Sequence, residues 1–181
     1  HERSRRQRQM CIRDSYIGLM PTGDTDGFGD GVEDNPGTAT DDVDDGVDTF
    51  PQLVDTDSSY SIIVNATSIN GSNSTIVAWI DFDRDGIFES GEETSVAVPS
   101  GTYQQDITVT WSSIPVNTQI GDTYARIRIA NDGDGLTTNT PTGSVASGEV
   151  EDYKFVISGA GDVTPPDVVI DPVTDVTTPN G

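Results

Sequence analysis

Beyond position 15 the chain has neither histidine nor cysteine, since its one His and one Cys are His1 and Cys11. Their absence from the body excludes Ser-His-Asp and Cys-His nucleophilic sites, His-ligated zinc and disulfides. Basic residues are scarce too: nine Lys and Arg stand against thirty-one Asp and Glu, for a formal net charge of -22. A surface of that sign repels nucleic acid and anionic membranes, so neither is expected as a partner. No apolar run is long enough to span a bilayer, and no window keeps a helical period over three turns.

The first fifteen residues, HERSRRQRQMCIRDS, differ in kind from the rest. Five of the nine basic residues fall here, and RQRQMCIRDS resembles translated sequencing-adapter sequence. Residues 1–15 are therefore set aside as a non-native segment. The remainder keeps four basic and twenty-nine acidic residues. For so acidic a body, divalent cations are the natural counter-charge.

Those acids are concentrated in turns. From Trp79 to Glu93 the chain reads WIDFDRDGIFESGEE, with Asp81, Asp83 and Asp85 at alternate positions, Gly86 next and a carboxylate again at Glu92. This D-x-D-x-D-G-x5-E spacing suits calcium, a hard ion that takes six to eight oxygens from alternating side chains and one main-chain carbonyl. The expected ligands are Asp81, Asp83, Asp85, the Ile87 carbonyl, Glu89 directly or through water, and Glu92. The stretch before the loop, Ser74 to Ile80, is β-branched and aromatic and reads as a strand rather than the helix of an EF-hand. A solvated Asp/Gly turn without metal would show the same composition.

Upstream, residues 16–46 form an acidic, Gly-rich lead-in. Its DTDGFGDGVEDN stretch resembles a thrombospondin type 3 calcium repeat, and Asp24, Asp26, Asp30 and Asp34 are candidates for a second metal site, although Gly27 interrupts the alternation. A flexible acidic linker explains that composition equally well. Phe50 is the first residue expected in a core.

Residues 47–158 are expected to form the globular part. Strands are predicted at Tyr60–Asn65, Ser74–Ile80, Thr94–Val98, Gln104–Trp111, Thr123–Ala130 and Val150–Ser158, each bounded by turn residues. That spacing gives an all-β fold, an antiparallel β-sandwich of Ig-like or jelly-roll-like kind. Alternation points Ile107, Val109 and Trp111 inward, with Ala125, Ile127 and Ile129, and Tyr153, Phe155 and Ile157. It puts Tyr124, Arg126 and Arg128 on the opposite face, where the two arginines are expected to pair with acids of Glu149–Tyr153 or, less favourably, to capture an anion.

GEVEDYKFVI at Gly148–Ile157, with YARIRIAND at Tyr124–Asp132 and WIDFDRDGIFESGEE before it, resembles the GEVED domain of bacterial secreted and cell-surface multidomain proteins. The resemblance covers Asp41 to Ser158. It implies a sandwich-like module of large secreted or surface proteins with no agreed activity of its own. The expected partners are other domains of the same long chain, with a glycan or a surface protein as a further candidate. After Ser158, GAGDVTPPDVVI reads as a Gly/Pro linker, and DVTPPDVVI resembles the start of an Ig-like bacterial surface repeat, so residues 159–181 are expected to lead into a further domain.

Three functions remain open at this point. The first is a calcium-stabilised structural or adhesive module. The second is a carbohydrate-binding module of a secreted hydrolase, with Trp79, Trp111, Tyr103 and Tyr124 as stacking surfaces, although alternation sends Trp111 inward and apolar neighbours flank Trp79, which favours core packing for both. The weakest is a carboxylate hydrolase built on acids such as Glu149 and Glu151, which lie on one strand face rather than across a cleft.

Overall fold

The computed structural model describes residues 15–18 and 46–161. Eight strands form: β1 Ser15–Ile17, β2 Leu53–Val54, β3 Tyr60–Ser68, β4 Ser74–Ile80, β5 Glu93–Val98, β6 Thr102–Trp111, β7 Gly121–Asn131 and β8 Glu149–Ser158. One sheet runs β1-β3-β6 and the other β2-β8-β7-β4-β5. Every pairing is antiparallel except β2 with β8, which is parallel over two residues. The described residues contain no helix, and the two sheets pack face to face as an all-β sandwich.

The six predicted strands are all present, and the period-two pattern places the core correctly. Ile62, Val64 and Ala66 of β3 and Val109 and Trp111 of β6 face Ile76, Ala78 and Ile80 of β4 and Ala125, Ile127 and Ile129 of β7. Each large aliphatic buried there contributes roughly 1.5–3 kcal/mol over its exposed state. At one end the core closes on aromatics: Phe50 stacks on Phe155 with centroids 4.8 Å apart, and Tyr60 meets Trp111 at 6.0 Å.

Two strands lie outside the expected set. β2 is two residues long and β1 three, too short for alternation to show. β1 corrects the placement of the lead-in outside the fold, and of Phe50 as its first core residue. Tyr16 and Ile17 are fully buried, with β1 antiparallel to β3 through Ser15↔Ser68, Tyr16↔Thr67 and Ile17↔Ala66. Gly46 returns against this strand, and a Cβ there would stand 1.9 Å from Ile17 Cγ2. The Asp24 to Asp34 cluster falls outside the described residues.

The middle of the outer face of the five-stranded sheet is covered, while Tyr124 and Val156 on the same face stay exposed. The β7–β8 connection folds back across it, so that Trp79, Arg126 and Arg128 are buried. Main-chain carbonyls of this loop receive their donors: Trp79 Nε1 donates to Thr138 O at 3.2 Å, and Arg128 donates to Thr140 O at 2.7 Å and Gly143 O at 2.8 Å. The loop re-enters β8 through Gly148, at φ 99°, where a Cβ would sit 1.7 Å from the Ile129 carbonyl oxygen.

Because Ile17 fills a sealed part of the core, Ile17→Ala is expected to lower stability by about 2–5 kcal/mol in urea unfolding. A change under about 0.5 kcal/mol, the range of surface substitutions, would show that β1 is dispensable. Gly148→Ala combines a left-handed backbone with a main-chain clash and is expected to cost at least about 3 kcal/mol in the same measurement.

Candidate metal site

The acidic loop is the connection between β4 and β5, from Asp81 to Glu92, and its root is locked into the fold. Asp81 N donates to Tyr124 O at 3.1 Å, its carbonyl accepts the Thr123 hydroxyl, and Phe82 is buried in the core with its carbonyl accepting Gln119 N at 2.8 Å. From there the chain turns through Arg84 at φ 61° and Gly86 at φ 85°.

That turn gathers the three alternate aspartates. One carboxylate oxygen each from Asp81, Asp83 and Asp85 lies within 4.8 Å of the others, and the three could hold a metal ion. Their remaining geometry is set by loop amides: Asp81 accepts from Asp85 N at 3.1 Å and Gly86 N at 3.0 Å, and Asp85 accepts from Ile87 N at 2.8 Å. Glu92 is buried beneath the loop, its Oε1 accepting Phe82 N at 2.7 Å and its Oε2 accepting Glu89 N at 3.1 Å. It therefore ties the loop's two ends together and stands outside the three-aspartate group. Glu89 and Ile87 are exposed.

Charge makes the fit to a cation physical. Unit negative charges 4.8 Å apart repel by roughly 1 kcal/mol per pair in bulk water and by about 3.5 kcal/mol at an effective dielectric of 20. The loop's own cation gives no relief, because Arg84 turns away to donate to Asp122 O at 2.7 Å and Ile120 O at 2.6 Å. Among the described residues, neither recorded ion pair, Arg126–Asp152 or Lys154–Asp122, includes a loop acid. The donor set is all oxygen, which matches a hard cation. Burial, together with the charges of Asp81 and Asp83, pushes the Glu92 carboxyl up to about 7 against the lowering effect of its two amide donors.

One neighbour had no sequence signal. Asn117, from the β6–β7 connection, donates to Asp83 Oδ2 at 3.1 Å and is brought there only by the tertiary fold.

The acids of Glu149–Tyr153 do different work from one another. Asp152 takes a fork from Arg126, Nε to Oδ1 at 2.7 Å and Nη2 to Oδ2 at 2.5 Å, which is the cross-strand pairing expected. Glu149 accepts the Ile17 amide at 2.6 Å. Glu151 accepts Gly46 N at 3.3 Å and the Tyr153 hydroxyl at 2.7 Å. Of the four aromatics considered as stacking surfaces, Trp79 and Trp111 are buried while Tyr103 and Tyr124 are 57% and 42% exposed on different sheets.

Residues 75–156 match the family model of the GEVED domain. No curated protein matches the chain.

A carboxyl whose folded pKa lies above its unfolded value binds its proton more tightly in the native state. The stabilising contribution of Glu92 is then fully present below about pH 4.5 and lost as pH rises through about 7. In chelator, urea unfolding from pH 5 to 8 is expected to show the unsubstituted chain losing stability relative to Glu92→Gln. Parallel profiles would mean that Glu92 does not titrate in this range.

Proposed function

We propose, from the match of residues 75–156 to the GEVED domain, that the chain is a calcium-binding, non-catalytic module with a structural or adhesive role in a larger secreted or cell-surface bacterial protein. The observation that carries this reading is the convergence of Asp81, Asp83 and Asp85 oxygens within 4.8 Å on a loop rooted in the core. An ion there neutralises the clustered charge and joins the ends of β4 and β5. Calcium suits the loop better than magnesium, because its larger, flexible shell of six to eight oxygens tolerates uneven ligand spacing. Asp81, Asp83 and Asp85 supply the first oxygens, with Glu92, Glu89 and the Ile87 carbonyl as the remaining candidates.

Several features favour a module over an enzyme or a glycan binder. Glu149 and Glu151 already receive main-chain amides of the lead-in, a fastening role that does not call on them as a catalytic pair. A carbohydrate-binding reading retains Tyr103 and Tyr124, which do not line one surface. The acidity of the body and the Gly/Pro stretch after Ser158 support a module strung between extracellular domains.

An ion that binds only the folded state stabilises it by about 2.7 kcal/mol at a hundredfold excess over Kd. Calcium is therefore expected to raise the thermal midpoint of the full chain by on the order of 10 °C. Asp83→Ala with Asp85→Ala should lose the rise while keeping its midpoint in chelator close to that of the unsubstituted chain. An equal rise in the double variant would remove this loop as the calcium site.

A further inference from the structure

The turn that gathers the three aspartates is held from outside the acidic motif. Between Asp81, whose main chain is bonded into the fold, and Asp85 lie Asp83, half-buried, and Arg84, in a left-handed conformation at φ 61°. Arg84 is seated where β7 begins: Nε donates to Asp122 O at 2.7 Å and Nη1 to Ile120 O at 2.6 Å. Its guanidinium lies over the bare backbone of Gly121, where a Cβ would stand 2.7 Å from Nη1 and 2.8 Å from Cζ. Asp83 is held from the connection just before this point, residues 112–120 between β6 and β7. Its Oδ1 accepts Asp85 N at 3.3 Å within the loop, and its Oδ2 accepts Asn117 Nδ2 at 3.1 Å from outside it. Asn117 is itself fixed on both sides. Ile114 is buried in the core, the amide and hydroxyl of Thr118 both donate to Pro115 O, and Gln119 N donates at 2.8 Å to Phe82 O, next to Asp83 in the chain.

We propose that the β6–β7 connection completes the metal site: Asn117 is the positioning residue for Asp83, and the seat of Arg84 on Gly121 positions the turn to Asp85. The inference rests on the calcium-binding reading and adds to it a source of affinity outside the D-x-D-x-D-G spacing. An ion that must first order its own ligands binds more weakly by the entropy of ordering them. Here a left-handed residue and a half-buried carboxylate are fixed by bonds already made to another part of the fold. Their ordering therefore belongs to folding rather than to ion binding. The chemistry of each holder is consistent with that division. Asn117 offers a neutral donor, which orients the carboxylate and leaves its charge for the ion, where a lysine would cancel it. Arg84 is a cation and would compete with calcium, but its fork is engaged by two main-chain carbonyls.

Calorimetric titration of calcium chloride into the metal-free full chain tests this. Asn117→Ala is expected to weaken binding by about tenfold to a hundredfold, the range for groups that orient metal ligands. Because Asn117 is exposed, the thermal midpoint of this variant in chelator should stay within about 2 °C of the unsubstituted chain. Arg84→Met separates positioning from charge. Removing a cation beside a cation site should tighten binding by Coulomb attraction alone, whereas loss of the seat should weaken it by about tenfold. Terbium in place of calcium reports the ligand set directly, since its luminescence lifetimes in light and heavy water count the waters bound to it. Asn117→Ala should admit about one more water as Asp83 leaves the ion. Equal affinity or an unchanged water count in Asn117→Ala would overturn its role, and equal or tighter binding by Arg84→Met would overturn the seat. Either result leaves the calcium reading standing. No binding of calcium or terbium by the unsubstituted chain would overturn both.

Discussion

Arg126 is the point at which the outer half of the molecule is tied together. A guanidinium 2% exposed can stay charged only if carboxylate and carbonyl oxygens replace its water. Asp152 supplies the fork from β8 and Pro141 supplies a carbonyl at 3.2 Å from the loop above, while Phe88 of the acidic loop lies 5.7 Å from the guanidinium carbon. The three motifs that stand apart in sequence, at Trp79–Glu93, Tyr124–Asp132 and Gly148–Ile157, therefore meet around one side chain. Arg128, two residues on, repeats the device by holding the same loop through Thr140 and Gly143, and burial draws its pKa down.

This arrangement explains how so acidic a chain keeps a core on both sides of one sheet. The inner face of the five-stranded sheet packs apolar against apolar, in the ordinary manner of a sandwich. The middle of its outer face is covered by a loop too poor in apolar residues to bury itself, and polar anchors do what hydrophobic area cannot. Trp79 gains a roof through an indole donor and two arginines rather than through a third layer of side chains. Fastening of this kind is directional, so it fixes position more than it adds stability.

What could be read from the residues follows the range of the forces involved. Strands β3 to β8 were legible because alternation is local and repeats over six to eleven residues. The Asp81, Asp83, Asp85 grouping was legible because one turn supplies all three. β1 and β2 were not, since three and two residues carry no period, and β1 is recognisable only from what it fills. Asn117 approaches Asp83 from a separate connection, and nothing near it in the chain announces that. The covering loop escaped for another reason: its hold is through backbone carbonyls, which every residue has and no sequence displays.

The parallel pairing of Leu53–Val54 with Ile157–Ser158 sets how the sandwich would meet a pulling force. Asp55 N bonds to Ser158 O at 2.9 Å and Ala160 N to Asp55 Oδ1 at 2.8 Å, which extends the fastening past the strand ends. Two parallel strands drawn from opposite ends slide along one another, so their bonds carry load together, whereas a hairpin pulled from its open end surrenders them one at a time. Tension entering before Leu53 and leaving after Ser158 is thus taken in shear, and β8 spreads it onto the nine-residue ladder with β7. A strand of only two residues thus sets the direction in which this edge of the sheet resists load.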